Sequence, residues 1–456
     1  MQNDLNTSAA EDMPGRTDIL GHPRGLAYIV FTEAWERFSF YGMQALLVLY
    51  MAGHLLKPGA VEGVIAFSGF HSLLETVFGP LSTQALATQI FGLYIGLIYF
   101  MPVLGGFIGD RVMGQKKAVL LGAALMALGH FLMAFETVFL FALSALILGA
   151  GLLKGNLAAQ VGRLYAKGDQ RRDTAYSLYI MSINVGAFVA PLICGTLGEL
   201  YGWHYGFGAA GVGMMVGIVI YLRGQHFLPP DTMADAGATR PKLQKGDGKV
   251  IAAILLLFVI AALFWTAQTQ VWNTYPLWIR DRVDREIFDL TIPVTWFQSF
   301  DSLAVLVLGP FVMWYWKRQR DRKAEPGDLM KVILGCAVFT LACVWLALGE
   351  FAAGGGQVSL FWPVVFHFIC AIGYLYVGPI MLALVSSTAP EAVNAMMVGS
   401  YYLSLFFGGI ASGWLGRFYE PMSDAGFWLM HGAIVGLAAV LVLLLHRPFR
   451  TVLKLH

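Results

Sequence analysis

Twelve predominantly apolar stretches of roughly 18 or more residues follow one another along this chain, each long enough to cross a bilayer as a helix. They lie near 26–51, 84–108, 116–135, 137–160, 175–197, 206–224, 249–278, 291–316, 329–350, 359–387, 391–416 and 424–446, the third and fourth separated only by the region of Glu136. Hydrocarbon offers no partner to a backbone N–H or C=O, so a spanning segment must satisfy its own hydrogen bonds, as a helix does. Of 456 residues, 57% are hydrophobic and 13% charged, against about a quarter charged in soluble domains. The expectation is an all-α integral membrane protein.

Net charge is only +2, but the basic residues are placed unevenly. Lys and Arg gather between spans 2 and 3 (Arg111, Lys116, Lys117) and between 4 and 5 (Arg163, Lys167, Arg171, Arg172). They recur between 6 and 7 (Arg223, Arg240, Lys242, Lys245, Lys249) and between 8 and 9 (Lys317, Arg318, Arg320, Arg322, Lys323). The alternate loops hold few, except that after span 7, where Arg280, Arg282 and Arg285 are accompanied by Asp281, Asp284, Glu286 and Asp289. The positive-inside rule then places both termini in the cytoplasm, in agreement with the Arg447, Arg450 and Lys454 tail. Residues 1–22 lack the basic and short apolar regions of a cleaved signal peptide. A multi-pass protein of the inner (plasma) membrane is expected.

Gly224 to Lys249, with Pro229-Pro230-Asp231 and scattered charge, interrupts the series at its middle. The reading is a cytoplasmic N-terminal segment 1–25, a six-helix bundle 26–224, a cytoplasmic linker 225–248, a second six-helix bundle 249–446 and a tail 447–456. Six plus six spans is a layout of transporters built from two repeats, with the substrate site between them near the midplane. Cys194, Cys336, Cys343 and Cys370 all fall in apolar segments without paired spacing and read as reduced, buried residues.

The first stretch carries Glu33, Glu36, Arg37, Tyr41 and Gln44 on one helical stripe. A charge at the centre of a bilayer costs about 3 kcal/mol even on insertion scales, so three of them must face water or each other. Glu33 to Arg37 has the favourable i,i+4 order for an ion pair. This stripe is the candidate ion and substrate pathway. Between spans 2 and 3, Gly105-Gly-Phe-Ile-Gly109-Asp110-Arg111-Val-Met-Gly114-Gln-Lys116-Lys117 has glycines that allow close helix approach and an aspartate free to pair with a helix N-terminus or an arginine. It resembles the loop motif of the major facilitator superfamily, in which it latches the inner helix ends, making Asp110 and Arg111 gating candidates.

The resemblance narrows further. Glu33-x-x-Glu36-Arg37-Phe38-x-x-Tyr41-Gly42 is similar to the first-helix signature of the proton-dependent oligopeptide transporter family. Gly149-x-Gly151-x-x-Lys154-x-Asn156, with Gly162-x-Leu-Tyr165 after it, is similar to the fourth-helix motif of that family, and Ser177-x-Tyr179-x-x-x-Ile183-Asn184-x-Gly186 to its fifth-helix signature. Tyr94 stands where the family has a pocket tyrosine, and Phe264-Trp265, Phe297-Gln298-Ser299 and Ala389-Pro390 extend the likeness into the second half.

The resemblance implies a twelve-helix major-facilitator fold and uptake of di- and tripeptides with protons, with no cofactor beyond protons as the coupling ion, no metal and no enzymatic activity. Small peptides, protons and the lipid bilayer are the expected partners, nucleic acid is not, and the protein is expected to act as a monomer. Arg37 and Lys154 suit a peptide carboxylate, while Glu33 and Glu36 suit proton exchange; a static ion cluster is the alternative for Lys154 and the glutamates. Tyr41, Tyr94 and Asn184 would bond the peptide backbone, ordinary interhelical bonding being the alternative for the last two.

Departures from the family pattern are equally informative. Gln44 stands where the family has arginine, and Thr269, four residues after Trp265, where it has a carboxylate. A neutral Gln44–Thr269 gating contact is the expected replacement, since losing one partner alone would strand a buried charge. Tyr374 replaces the tenth-helix glutamate that receives the peptide amine, while Asp301 replaces an asparagine and is read as the one intramembrane carboxylate of the second half, facing the amine or taking a proton. A solvated position near a helix end is the alternative for Asp301. Tyr401 replaces a tryptophan and reshapes a side-chain pocket. Trp265, Tyr374 and Tyr401 complete the substrate-binding set. Another small solute (nitrate, an amine or an acid) or peptide sensing without transport are the remaining alternatives. His130, His204 and His367 are read as isolated packing residues.

Overall fold

The computed structural model describes residues 18–166, 168–231 and 242–455. Most of the N-terminal segment, Lys167 and the middle of the linker with Arg240 lie outside the described residues.

The twelve expected spans are all helical. Span 1 is Arg24–Tyr50, span 2 Thr83–Ile108, span 3 Gln115–Leu132, span 4 Phe139–Arg163, span 5 Arg171–Ala190 and span 6 Trp203–Gly224. In the second half, span 7 comprises Asp247–Gln270 and Thr274–Arg282, span 8 is Trp296–Asp321, span 9 Asp328–Ala353 and span 10 Phe361–Thr388. Span 11 comprises Asn394–Ser400 and Tyr402–Leu415, and span 12 is Asp424–Leu444. Ten of the described helices are long and apolar enough to cross a membrane. The other two are span 1, with its charged stripe, and span 3, which is 18 residues long with Lys116 and Lys117 in its first turn. A further helix, Phe67–Phe78, lies between spans 1 and 2, where only a loop was expected.

Packing follows a repeat. Within the first half, span 1 packs on 5 and 6, span 4 on 2 and 3, and span 3 on 6; adding six to each number gives the pairs of the second half. The halves meet where span 2 packs on 11 and span 5 on 8, two seams related by the same shift. Parallel repeats about an axis along the membrane normal produce this pattern. At the 2–11 seam a Cβ on Gly92 would sit 2.7 Å from the Gly413 Cα, so the two backbones touch only because neither residue has a side chain.

Both seams are tied at the end of the bundle away from the chain termini. Glu199, in a π-helical turn that continues span 5 (Leu197–Tyr201), accepts hydrogen bonds from the backbone N–H of Val294 and Thr295 and from Thr295 Oγ1, each at 2.8 Å. Trp296 Nε1 donates to Thr196 Oγ1 at 2.8 Å beside them. At the other seam Arg417 donates to the Phe78 carbonyl, Ser82 bonds to Glu420, and Asn273, in the break of span 7, donates to the Thr88 carbonyl at 3.2 Å.

At the terminal end the Gly105–Lys117 segment ties down its own half. Asp110 accepts from Gln115 Nε2 at 2.9 Å, and Gln115 Oε1 accepts from Arg163 at 3.1 Å, so Asp110 reaches an arginine through an intervening amide. Arg111 lies over the Phe107 ring at 5.3 Å. Asp231 caps span 3 by accepting from the Lys116 N–H at 3.1 Å, while Lys116 Nζ donates to the Gln225 and Leu228 carbonyls at 3.0 and 3.1 Å. The start of the linker is thereby bound to the first half. Between spans 8 and 9, Arg320 and Lys331 each bond to Glu325 at 2.7 Å and hold its carboxyl down at about 2.

Candidate functional site

Helical spacing brings the charges of span 1 together on the face that packs toward span 5. Arg37 Nε lies 2.9 Å from Glu33 Oε1 and also pairs with Glu36. Tyr179 of span 5 donates to Glu33 Oε2 at 2.7 Å. Glu33 is 1% exposed and Glu36 0%, so these carboxylates are removed from bulk water and depend on their partners. Gly186 of span 5 packs against Arg37 and the adjoining backbone of span 1, allowing this approach.

Lys154 does not join the ion pairs. Its Nζ is enclosed without a hydrogen-bond partner among the described residues and lies 3.9 Å from the centre of the Phe40 ring and 5.2 Å from that of Tyr99. Two aromatic faces hold the ammonium through their quadrupoles. The cluster therefore contains one cation paired with two glutamates and a second cation, near the same glutamates, that contacts two aromatic faces.

Tyr99 also stacks on Tyr402 across the 2–11 seam, with ring centres 6.4 Å apart. Tyr41 packs on Trp272 of the other half at 5.1 Å, and Tyr94 is 2% exposed. Asn184 donates to the Ile180 carbonyl of its own helix at 3.0 Å, so that amide hydrogen serves its own span. On the opposite side Trp265 Nε1 donates to Tyr401 Oη at 3.2 Å, and its ring meets Tyr374 edge to face at 6.2 Å. Trp265, Tyr374 and Tyr401 thus form one aromatic wall.

The expected Gln44–Thr269 contact is not made. Thr269 Oγ1 donates to the Trp265 carbonyl of its own helix at 2.7 Å, and Gln44 Oε1 has no hydrogen-bond partner among the described residues. A threonine within a helix can satisfy its hydroxyl locally, which removes the need for a cross-half partner.

Asp301 is in span 8, its side chain 17% exposed, with Gln268 and Trp272 of span 7 beside its carboxylate. His367, isolated in the sequence, is not isolated in space: its Nδ1 lies 4.0 Å from Asp301 Oδ1. A second carboxylate of that half is also enclosed. Glu350, near the far end of span 9 and 8% exposed, accepts from Trp278 at 2.6 Å and from Arg282 at 2.8 Å. Glu350 is fully engaged there, whereas Asp301 has no Lys or Arg partner among the described residues. Tyr179, Phe40, Tyr99 and His367 are the site residues that sequence reasoning did not single out. Tyr179 lies within a quoted motif, and His367 stands two turns before Tyr374; these were the signals available.

Two six-helix repeats packed around a buried charged cluster have the architecture of a secondary transporter of the major facilitator type. Residues 116–236 and 232–426 match the model of the POT family, and the chain belongs to that family. It is 29% identical to the peptide transporter YePEPT of Yersinia enterocolitica, over 98% of this chain and 97% of the relative. It is 27% identical to a di-/tripeptide transporter of Lactococcus lactis subsp. cremoris, over 94% and 96%. The crystal structure of a peptide transporter POT in complex with sulfate superposes with a TM-score of 0.84 at 27% identity, covering 98% of this chain and 99% of that one. A mutant peptide transporter POT in complex with alafosfalin has the same TM-score at 28% identity.

Proposed function

We propose that this chain imports di- and tripeptides together with protons by alternating access. One observation carries the reading most directly: among the described residues, Lys154 Nζ is buried without a hydrogen-bond partner, while Asp301 in the opposite half has no basic partner but His367. A peptide zwitterion supplies what each lacks, its carboxylate to Lys154 and Arg37 and its ammonium to Asp301. Glu33 and Glu36 share Arg37, so a peptide carboxylate drawing on Arg37 releases one of them to take a proton. Tyr41, Tyr94 and Asn184 line the path of the peptide backbone, Trp265, Tyr374 and Tyr401 its side chains, and Asp110 and Arg111 the terminal-side gate. The names of the related transporters support the substrate class. One proton moving through 100 mV supplies about 2.3 kcal/mol, or roughly fifty-fold accumulation of a neutral substrate.

The bias of Lys and Arg supports an inner-membrane location with both termini and the linker 225–248 in the cytoplasm. Closure at the far end then corresponds to a cavity open inward. A monomer carries the whole site, and protons are the only coupling agent required. Tyr374 in place of an acid favours a second reading, a different small solute, because the aromatic wall around it is neutral.

Uptake of labelled dialanine into proteoliposomes, with and without an inward proton gradient, decides between these. Gradient-dependent accumulation is expected. Exchange without accumulation would indicate passive transport, binding alone a receptor, and no response another solute.

A further inference from the structure

Behind Asp301 lie two buried polar residues on neighbouring spans. His367 of span 10 is 0% exposed, and its Nδ1, facing Asp301 at 4.0 Å, has no hydrogen-bond partner among the described residues. On the other side of the ring, Nε2 lies 2.9 Å from Tyr275 Oη, which belongs to the outer segment of span 7 and is also 0% exposed. That hydroxyl has one other acceptor, the Pro363 carbonyl at 3.5 Å, beyond the ordinary reach of an O–H···O bond.

These distances select a tautomer. A neutral imidazole has one donor and one acceptor nitrogen, and the bond made by one nitrogen decides the role of the other. Tyr275 has no better acceptor than Nε2, so it donates there and the imidazole proton resides on Nδ1. That N–H points at Asp301. A small rotation of the carboxylate completes the bond, with Gln268 and Trp272 beside the same group.

We propose that His367 is a positioning residue for substrate recognition: held by Tyr275 in the Nδ1–H tautomer, it donates to Asp301 and aims that carboxylate at the ammonium group of the substrate. The proposal rests on the peptide-transport reading and assigns the amine end of the site to a three-residue chain, Tyr275, His367 and Asp301. It also accounts for a histidine and a tyrosine buried where apolar residues would pack with less penalty, since a buried donor without a partner is costly.

The test measures binding of dialanine and N-acetyl-dialanine to the purified full-length transporter in detergent. His367→Phe removes the donor, and His367→Asn restores an N–H at the same distance along the side chain as Nδ1. For His367→Phe, affinity for dialanine is expected to fall about tenfold while affinity for the acetylated peptide changes little. His367→Asn is expected to recover most of that loss. Tyr275→Phe, which frees the tautomer, is expected to lower the same free-to-acetylated preference. Equal losses for both ligands, or His367→Asn no better than His367→Phe, would overturn the proposal. If His367→Phe does not fold, Tyr275→Phe decides alone: an unchanged preference overturns it. A wild-type protein that binds both peptides equally would also overturn it, since no ammonium recognition would remain to support, whereas one that binds neither would instead defeat the peptide reading itself.

Discussion

Glu199 caps the start of span 8 from the opposite half of the molecule, with Thr295 donating to it through both its backbone N–H and its Oγ1 at 2.8 Å. A carboxylate at a helix N-terminus is stabilised by unsatisfied N–H groups and the helix dipole. Here the cap and the helix belong to different repeats. A bond of this kind holds only while the far end is closed, and it does so in a molecule whose direct Gln44–Thr269 contact is absent.

Glu199→Ala should accordingly favour the state open at the far end. Losing a charge-assisted cap costs about 1–2 kcal/mol, equivalent to roughly ten-fold in the ratio of the two states. Spin labels on the far ends of spans 5 and 8 should report a larger long-distance population in the variant. An unchanged distance distribution would remove Glu199 from the gate.

Lys154→Gln should impair recognition of the substrate carboxylate selectively. Free dialanine should lose about tenfold or more in affinity, as expected for a charge-assisted bond, while its C-terminal amide changes little. Competition binding with both ligands reads this directly. Parallel losses would mean that the ammonium over Phe40 only supports the bundle.

Glu36→Gln should abolish gradient-driven accumulation, because the variant cannot exchange a proton at the centre of the Arg37 cluster. Counterflow exchange reveals whether the variant still cycles. Intact uphill uptake would exclude Glu36 from proton coupling.

Glu325 lies in the loop between spans 8 and 9, where bonds from Arg320 and Lys331 bring its carboxyl from 4.5 to about 2. A folded-state value below the unfolded one contributes stability above the unfolded value, and that contribution fades as pH falls through the folded one. The difference in Tm between wild type and Glu325→Gln should therefore be constant from neutral pH to about 5 and shrink below about 4.5. A difference that vanished already at pH 6 would contradict this assignment. Transport assays at pH 5–6 would leave this contact intact.

Much of the architecture was legible because each span announces itself by an apolar run, and span 1 could be recognised despite its charges because they share one stripe. Other features depend on partners distant in sequence. Nothing local in Val271-Trp272-Asn273 marks a break in span 7, but Asn273 bonds to span 2 across the seam. The Gln44–Thr269 contact was inferred by substituting both members of a charged pair, an inference that overlooks the carbonyl four residues back, which satisfies a helical threonine on its own. Tyr179 and His367 escaped for a related reason. Periodicity shows which residues share a face, not which face of another helix meets it. The charged half of the site was therefore more readable than the network that orients it.

The two seams, span 2 on 11 and span 5 on 8, lie on opposite sides of the repeat axis. If each repeat moves as a rigid body, neither seam opens alone: parting Glu199 from Thr295 also separates the glycine backbones of the other. The gate then behaves as a double lock turned by one key. Mutations in either seam would change how often it opens without creating a half-open state, and leakage through one side is prevented by geometry rather than by any single bond.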